Sequence, residues 1–356
     1  MPPHTSWLIT GASSGLGAAL SHDVLQTLPG AKVIGTTRSI ARARTAQPEF
    51  ETLGGVWLEV DLAAPENTCE ALVREAVEHH EVDVLVNCAG VALLGALEDI
   101  SDEEIRMQME TNFLGPLRCI RAALPSFRAR HLHQSGPGSS PVSAPAPITS
   151  ATIVNVTSAA GFIGRPGRAI YAASKFALEG ATESLAHEVR PLGVRVLLVE
   201  PGGFQTPFAS SCVVAKRGLA IDDDDDVGND KQGGNGGSGS GSSSSEGNVV
   251  SLPYRNTPAD RLTRYTIDME KTPGALRGDP AKAARRIVEV VTGTGMAAGI
   301  GGIEGDGEGS EDVLPLRLLL GTDCMAVFRG KMDLLKRNYE AVEAMANSTD
   351  LDEFVG

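Results

Sequence analysis

"SWLITGASSGLGAALSHDVLQTL", residues 6–28, decides the fold. Its first five residues are an apolar run that ends at a glycine, which reads as a buried strand. Residues 15–28 carry apolar side chains at helical spacing. Between them stands "TGASSGLG", residues 10–17. Gly11 permits a tight turn, while Gly15 and Gly17 let the backbone approach a pyrophosphate and let the helix pack on the sheet. The helix N-terminus offers N–H groups and a partial positive charge to phosphates. A glycine-rich turn between strand and helix is a moderate signal on its own, and a purely structural turn is the alternative.

The same alternation continues downstream. "AKVIGTTR" (31–38), "GVWLEVDL" (55–62), "VDVLVNCAG" (82–90), "ATIVNVTSAAG" (151–161) and "VRVLLVEPGG" (194–203) read as strands. Helices are predicted over 65–80, 101–130, 169–193, 279–293 and 323–349, the second opening on a capping box, Ser101 with Glu104. The strands are apolar runs rather than in–out alternations, so both sheet faces are covered. The expectation is an α/β fold: one doubly wound, Rossmann-like parallel sheet over 1–356, a single domain with a helical C-terminal extension. Such sheets bind ligands beyond the carboxyl ends of their strands.

Three segments interrupt the pattern: 131–150, rich in Pro, Ser and Gly; 222–248, with a run of aspartates and "GGNGGSGSGSSSSEG"; and 299–312, glycine-rich and acidic. None has the apolar content to order itself, and each reads as a flexible insertion. The net charge of −14 argues against a nucleic-acid partner, which calls for a basic face. Five scattered cysteines, without a CxxC pair, fit free thiols in a reducing compartment. No basic segment leads into a long apolar run at the N-terminus, and no run of about 18 apolar residues occurs, so neither a signal peptide nor a membrane span is expected. A cytoplasmic protein is the default. His79 and His80 are adjacent and cannot share a helix face, so no metal site is expected.

"IYAASKFAL" (170–178) sets Tyr171 four residues before Lys175, on one helix face. The pair is either an ordinary half-buried face or a tyrosine acid with the cation that tunes it. A free tyrosine titrates near 10, so a neighbouring ammonium and an oxidised nicotinamide are expected to lower that value. Tyr171 can then protonate the oxygen of a carbonyl or deprotonate an alcohol.

TGxxxGxG at 10–17, "NCAG" at 87–90, Ser158 in "SAAG", YxxxK at Tyr171 and Lys175, Asn112 in "METNFLG" and "EPGGFQT" at 200–206 occur in this order. Together they resemble the short-chain dehydrogenase/reductase family, with Cys88 where the family has a second asparagine. "LPLRLLLGTD" (314–323) looks like the tail of one carbonyl-reducing branch. The resemblance implies a catalytic set of Asn112, Ser158, Tyr171 and Lys175. Ser158 would hydrogen-bond the reacting oxygen, Lys175 would hold the nicotinamide ribose, and Asn112 would hold a water linking Lys175 to solvent. It implies that Gly11, Ser13, Ser14, Gly15, Leu16 and Gly17 form the cofactor turn. Asp61 and Leu62 would meet the adenine, and Asn87, Ala89 and Gly90 would pass beneath the cofactor. Pro201, Gly202, Phe204 and Thr206 would line the nicotinamide.

NAD binders generally end the second strand on an acid. Here Thr37 stands in that place, followed by Arg38, and a guanidinium suits a phosphate. NADP(H) is therefore expected over NAD(H). The expected reaction is NADPH-dependent reduction of a ketone or aldehyde, reversible to alcohol oxidation. Leu93, Leu94, Phe162, Phe204, Phe208 and Tyr254 are candidates to line an apolar pocket. Steroid, retinoid, lipid and secondary-metabolite carbonyls all stay open. The rivals are a non-catalytic NADP(H)-binding regulator and an isomerase or dehydratase on the same fold. Oligomeric state is open, with a homodimer or homotetramer the assemblies to test.

Overall fold

A computed structural model describes residues 5–64, 66–134, 151–216, 249–272, 274–299 and 317–349. The segments read as insertions lie outside the described residues, apart from 131–134, which end a helix, and Gly299, which ends a short 3-10 turn.

Strands β1 (Ser6–Ile9), β2 (Lys32–Thr37), β3 (Gly55–Glu59), β4 (Val84–Asn87), β6 (Thr152–Val156), β7 (Arg195–Pro201) and β9 (Arg317–Leu320) form one sheet in the order β3-β2-β1-β4-β6-β7-β9. Every pairing in it is parallel. A second, two-stranded sheet pairs β5 (Leu93–Leu94) with β8 (Val213–Val214). The helices are α1 (Gly15–Thr27), α2 (Ile40–Ala46), α3 (Glu66–His79), α4 (Asp102–Met109), α5 (Gly115–Gln134), α6 (Ala169–Val189), α7 (Pro258–Asp268), α8 (Pro280–Thr292) and α9 (Thr322–Asn347).

Alternate residues of each strand face opposite sides, and both sides are apolar. Trp7, Ile9, Val84, Val86 and Val154 pack with Leu20 and Val24 of α1 and Ile287 and Val291 of α8. Leu8, Leu85 and Ile153 pack with Val73 and Val77 of α3 and Ile120 and Phe127 of α5. This double burial is why the strands read as continuous apolar runs.

The helix predicted over 101–130 is two helices joined by a π turn, Glu110–Leu114. Its capping box forms as expected: the Glu104 N–H donates to Ser101 Oγ, and the Ser101 N–H donates to Glu104 Oε2. The structure adds a strand within the stretch noted as a family tail. β9 docks beside β7, with Arg317 paired to Leu198 and Leu320 to Pro201. Arg317 reaches Glu179 of α6 at 2.8 Å and also contacts Glu183 and Glu200. Glu200 is fully buried, and burial with Glu179 alongside pushes its carboxyl up to about 8.

Candidate active site

The carboxyl ends of β1, β4, β6 and β7 open into one cavity of about 600 Å³. β1 enters the glycine turn. Gly11 has φ +68°, and a Cβ there would sit 2.9 Å from Ala89 Cα; at Gly17 it would sit 2.5 Å from the Gly11 carbonyl oxygen. The turn therefore closes on itself and on the β4 end only without side chains. Thr10 ties the two together, its Oγ1 accepting from the N–H groups of Cys88 and Ala89. Ser14 caps α1 without a side-chain hydrogen bond to the helix, which leaves the first-turn N–H groups to the cavity. A pyrophosphate fits this cradle by both shape and charge.

The cavity is walled at this end by Gly11, Ser13, Ser14, Gly15, Leu16 and Gly17, and further out by Arg38, Asp61 and Leu62. Arg38 is exposed and makes no ion pair among the described residues. Thr37 is buried, and its hydroxyl accepts from the Ser39 N–H at 3.2 Å, so the side chain fixes the turn that presents Arg38.

Ala89, Gly90, Ser158, Tyr171 and Lys175 line the middle, and Pro201, Gly202, Phe204 and Thr206 close the far wall. Ser158 caps a 3-10 turn after β6, its Oγ accepting from the Ala160 N–H. Tyr171 and Lys175 both face the cavity from the first two turns of α6. Lys175 Nζ donates to the Val156 carbonyl at 3.0 Å, which leaves two of its three N–H groups for other acceptors. Burial lowers its ammonium to about 8, with Cys88 and Glu179 acting in the opposite sense.

Asn112 sits in the π turn and is fully buried. Its amide bridges Val91, accepting from the N–H and donating to the carbonyl at 2.9 Å each, and it donates to Ser174 Oγ. Asn112 Oδ1 and Lys175 Nζ both approach Gly90, at 3.3 and 3.5 Å from where a Cβ would stand. Asn112 thus lies behind the cavity wall beside Lys175, while its neighbour Thr111 lines the cavity.

Several expectations change. Asn87 does not reach the cavity: its amide donates to Asn155 Oδ1 within the sheet at 2.8 Å, because strand alternation turns it into the core. Among the protein's own groups the balance at the Tyr171 phenol is upward. Its burial outweighs the Ser158 hydrogen bond and the Arg168 guanidinium, both of which lower it. Leu93 and Leu94 are fully buried in the small sheet, Phe162 stacks on Phe328 at 4.2 Å, and the Tyr254 hydroxyl donates to Glu98. Of the six candidate pocket residues, Phe204 and Phe208 line the cavity. Arg165 and Arg168 also line the cavity, as do Leu262, Tyr265 and Met269 from α7 and its end. Asp323, in the stretch that resembles a family tail, accepts at its Oδ2 from the Gly203 N–H at 2.7 Å and so anchors the loop after β7.

A protein-family model described as enoyl-(acyl carrier protein) reductase matches residues 11–221. The oxidoreductase claN of Passalora fulva is 43% identical over 209 residues, which are 58% of this chain and 85% of that protein. The 3-ketodihydrosphingosine reductase of Bacteroides thetaiotaomicron is 36% identical over 205 residues, 57% of this chain and 65% of that one, just under two thirds of its length. Among solved structures, a short-chain dehydrogenase from Streptomyces avermitilis superposes with a TM-score of 0.68 at 26% identity, covering 98% of this chain and 100% of that one.

Proposed function

The chain belongs to the short-chain dehydrogenase/reductase family, and from that premise we propose that it reduces a ketone or aldehyde on a largely apolar small molecule to the alcohol, using NADPH. The observation that carries this reading is that the glycine turn, Ser158, Tyr171 and Lys175 share one cavity. A bound nicotinamide would supply the hydride. Gly11 to Gly17, Asp61, Leu62, Ala89 and Gly90 are the residues to hold it, with Thr206 at the nicotinamide end.

The roles of the side chains follow from their positions. Tyr171 gives its proton to the carbonyl oxygen as that oxygen gains charge. Ser158 donates a hydrogen bond to the same oxygen. The two free N–H groups of Lys175 hold ribose hydroxyls and raise the local potential. Asn112 positions Lys175 by fixing the Val91 backbone and the π turn beneath it. Arg38 takes the 2′-phosphate, which favours NADPH. The relative named for reducing a ketone supports a carbonyl substrate, and the apolar wall of Phe208, Leu262 and Met269 supports a hydrophobic one.

The experiment is NADPH oxidation with a panel of polycyclic ketones, quinones, steroids and retinal, run on the parent and on Tyr171→Phe. Loss of about a hundredfold or more in rate, with NADPH affinity retained, is the expected outcome. A Tyr171→Phe variant that keeps most of its activity refutes the assignment.

A further inference from the structure

Resting on that reading, we propose that Arg168, with Arg165 beside it, anchors an acidic group on the substrate: the enzyme takes ketones that carry a carboxylate or an ionised phenol or enol within one side chain's reach of the reacting carbonyl.

Arg168 stands immediately before α6 and three residues ahead of Tyr171, so both side chains serve the same part of the cavity. Its seat is built. Gly167, at φ +71°, turns the chain there. A Cβ on it would meet Thr263 Oγ1 at 2.6 Å and the Ala259 carbonyl oxygen at 3.0 Å, so α7 lies directly against this turn. From α7, the buried Thr266 hydroxyl accepts from one guanidinium nitrogen of Arg168. Arg168 Nε is buried and has no hydrogen-bond partner among the described residues. No carboxylate among the described residues lies within ion-pair range of Arg168. The side chains whose charged forms favour its cation are Tyr171, Cys212 and Tyr265. Burial raises the Tyr171 phenol and holds the Cys212 thiol up at about 11, so both stay protonated near pH 7.

Arg168 is half-buried, and a cation partly withdrawn from water gains from a counter-ion. Here the missing partner has an obvious place to come from. The acids on the cavity wall are Asp61 and Asp323. Asp61 lies at the glycine-turn end beside Leu62, and Asp323 is already engaged with Gly203. Arg38 has its own role at the far end of the cofactor. The exposed Arg165 and the half-buried Arg168 are the remaining arginines, and both line the cavity together with Tyr171. In a chain of net charge −14, this is a local cationic stretch of the cavity wall that includes an unpartnered guanidinium N–H, a group that binds an anionic oxygen by charge-assisted hydrogen bonds.

The test uses probes that differ only in charge. 2-Naphthoate and 2-naphthamide are titrated calorimetrically into the NADPH-loaded protein, parent, Arg168→Met and Arg168→Lys. The parent should bind the naphthoate about ten- to a hundredfold more tightly than the amide. Arg168→Met should collapse that ratio towards one, and Arg168→Lys should keep part of it. NADPH affinity measured in the same variants shows that they are folded. Equal affinity for the two probes in the parent, no binding of either, or a ratio that survives Arg168→Met overturns the proposal. So does a result in which Arg168→Met leaves the ratio intact but displaces the pH profile of 2-acetylnaphthalene reduction, because the guanidinium then serves Tyr171 instead. A parent that shows the Arg168-dependent preference yet reduces no ketone upholds the anchor and refutes the reductase reading.

Discussion

Glu200→Gln tests how the buried acids of α6 and β7 coexist. Glu200 is fully buried, and Glu179 is nearly so. Both carboxyls are raised, chiefly by burial, although each contacts Arg317. One cation faces three acids when Glu183 is counted, so a retained proton relieves the excess charge. The folded state holds the Glu200 proton up to about pH 8, whereas the free side chain loses it near 4.5. Between those values the folded chain binds more protons than the unfolded one. The stabilisation is therefore complete below the unfolded value and is lost as pH rises towards 8. The slope contributed by one proton is about 1.4 kcal/mol per pH unit, and the full window has an upper limit of about 5 kcal/mol. Glutamine mimics the protonated carboxyl and does not titrate. Urea unfolding at constant ionic strength, at pH 5, 6, 7 and 8, should show the parent losing stability faster than the variant, with the variant the more stable of the two at pH 8. Parallel slopes, or a variant less stable at pH 8, would show that Glu200 is ionised and held by Arg317 as an ordinary ion pair, and the reasoning fails.

Two further outcomes follow from the site. Arg38→Ala should weaken NADPH binding about ten- to a hundredfold while NADH binding changes little, and Thr37→Asp should shift preference further by repelling the 2′-phosphate; the ratio of kcat/KM for the two cofactors reads both, and a parent that already prefers NADH sinks the assignment. Gly161→Ala would drive a Cβ to 1.9 Å from Glu179 Oε1, so the turn carrying Ser158 must move; a loss of roughly 1–3 kcal/mol in stability is expected, together with reduced turnover, and a variant unchanged in both would show that the turn yields freely.

Local signals were the legible ones. The glycine turn, the capping box at Ser101 and the Tyr171–Lys175 spacing depend on residues within one turn or one loop, and each forms as read. What the sequence hid depends on partners far along the chain. Asn87 looks like a cofactor contact at a strand end, yet its fate is set by Asn155 on the neighbouring strand. Leu93 and Leu94 look like pocket lining, but pairing with Val213 and Val214 folds them into a second sheet. Arg168 carries no motif at all. Its significance appears only when Thr266, 98 residues downstream, fixes its guanidinium. The π turn at Asn112 is similarly silent, because the sequence there is compatible with an uninterrupted helix.

The position of β9 also bears on how the chain is made. β7 pairs with β6 on one side at once, but its other side waits for residues 317–320, more than a hundred positions later in synthesis. Until then a growing chain presents the backbone of Leu198–Pro201 as an open edge, the kind of surface on which strands from other chains add. Arg317 arrives with that strand, so the same event closes the edge and brings a cation to Glu179 and Glu200. Truncations that stop short of residue 317 would leave both tasks undone, and a fragment matching only the Rossmann core by length should be aggregation-prone for a reason that lies entirely outside its own residues.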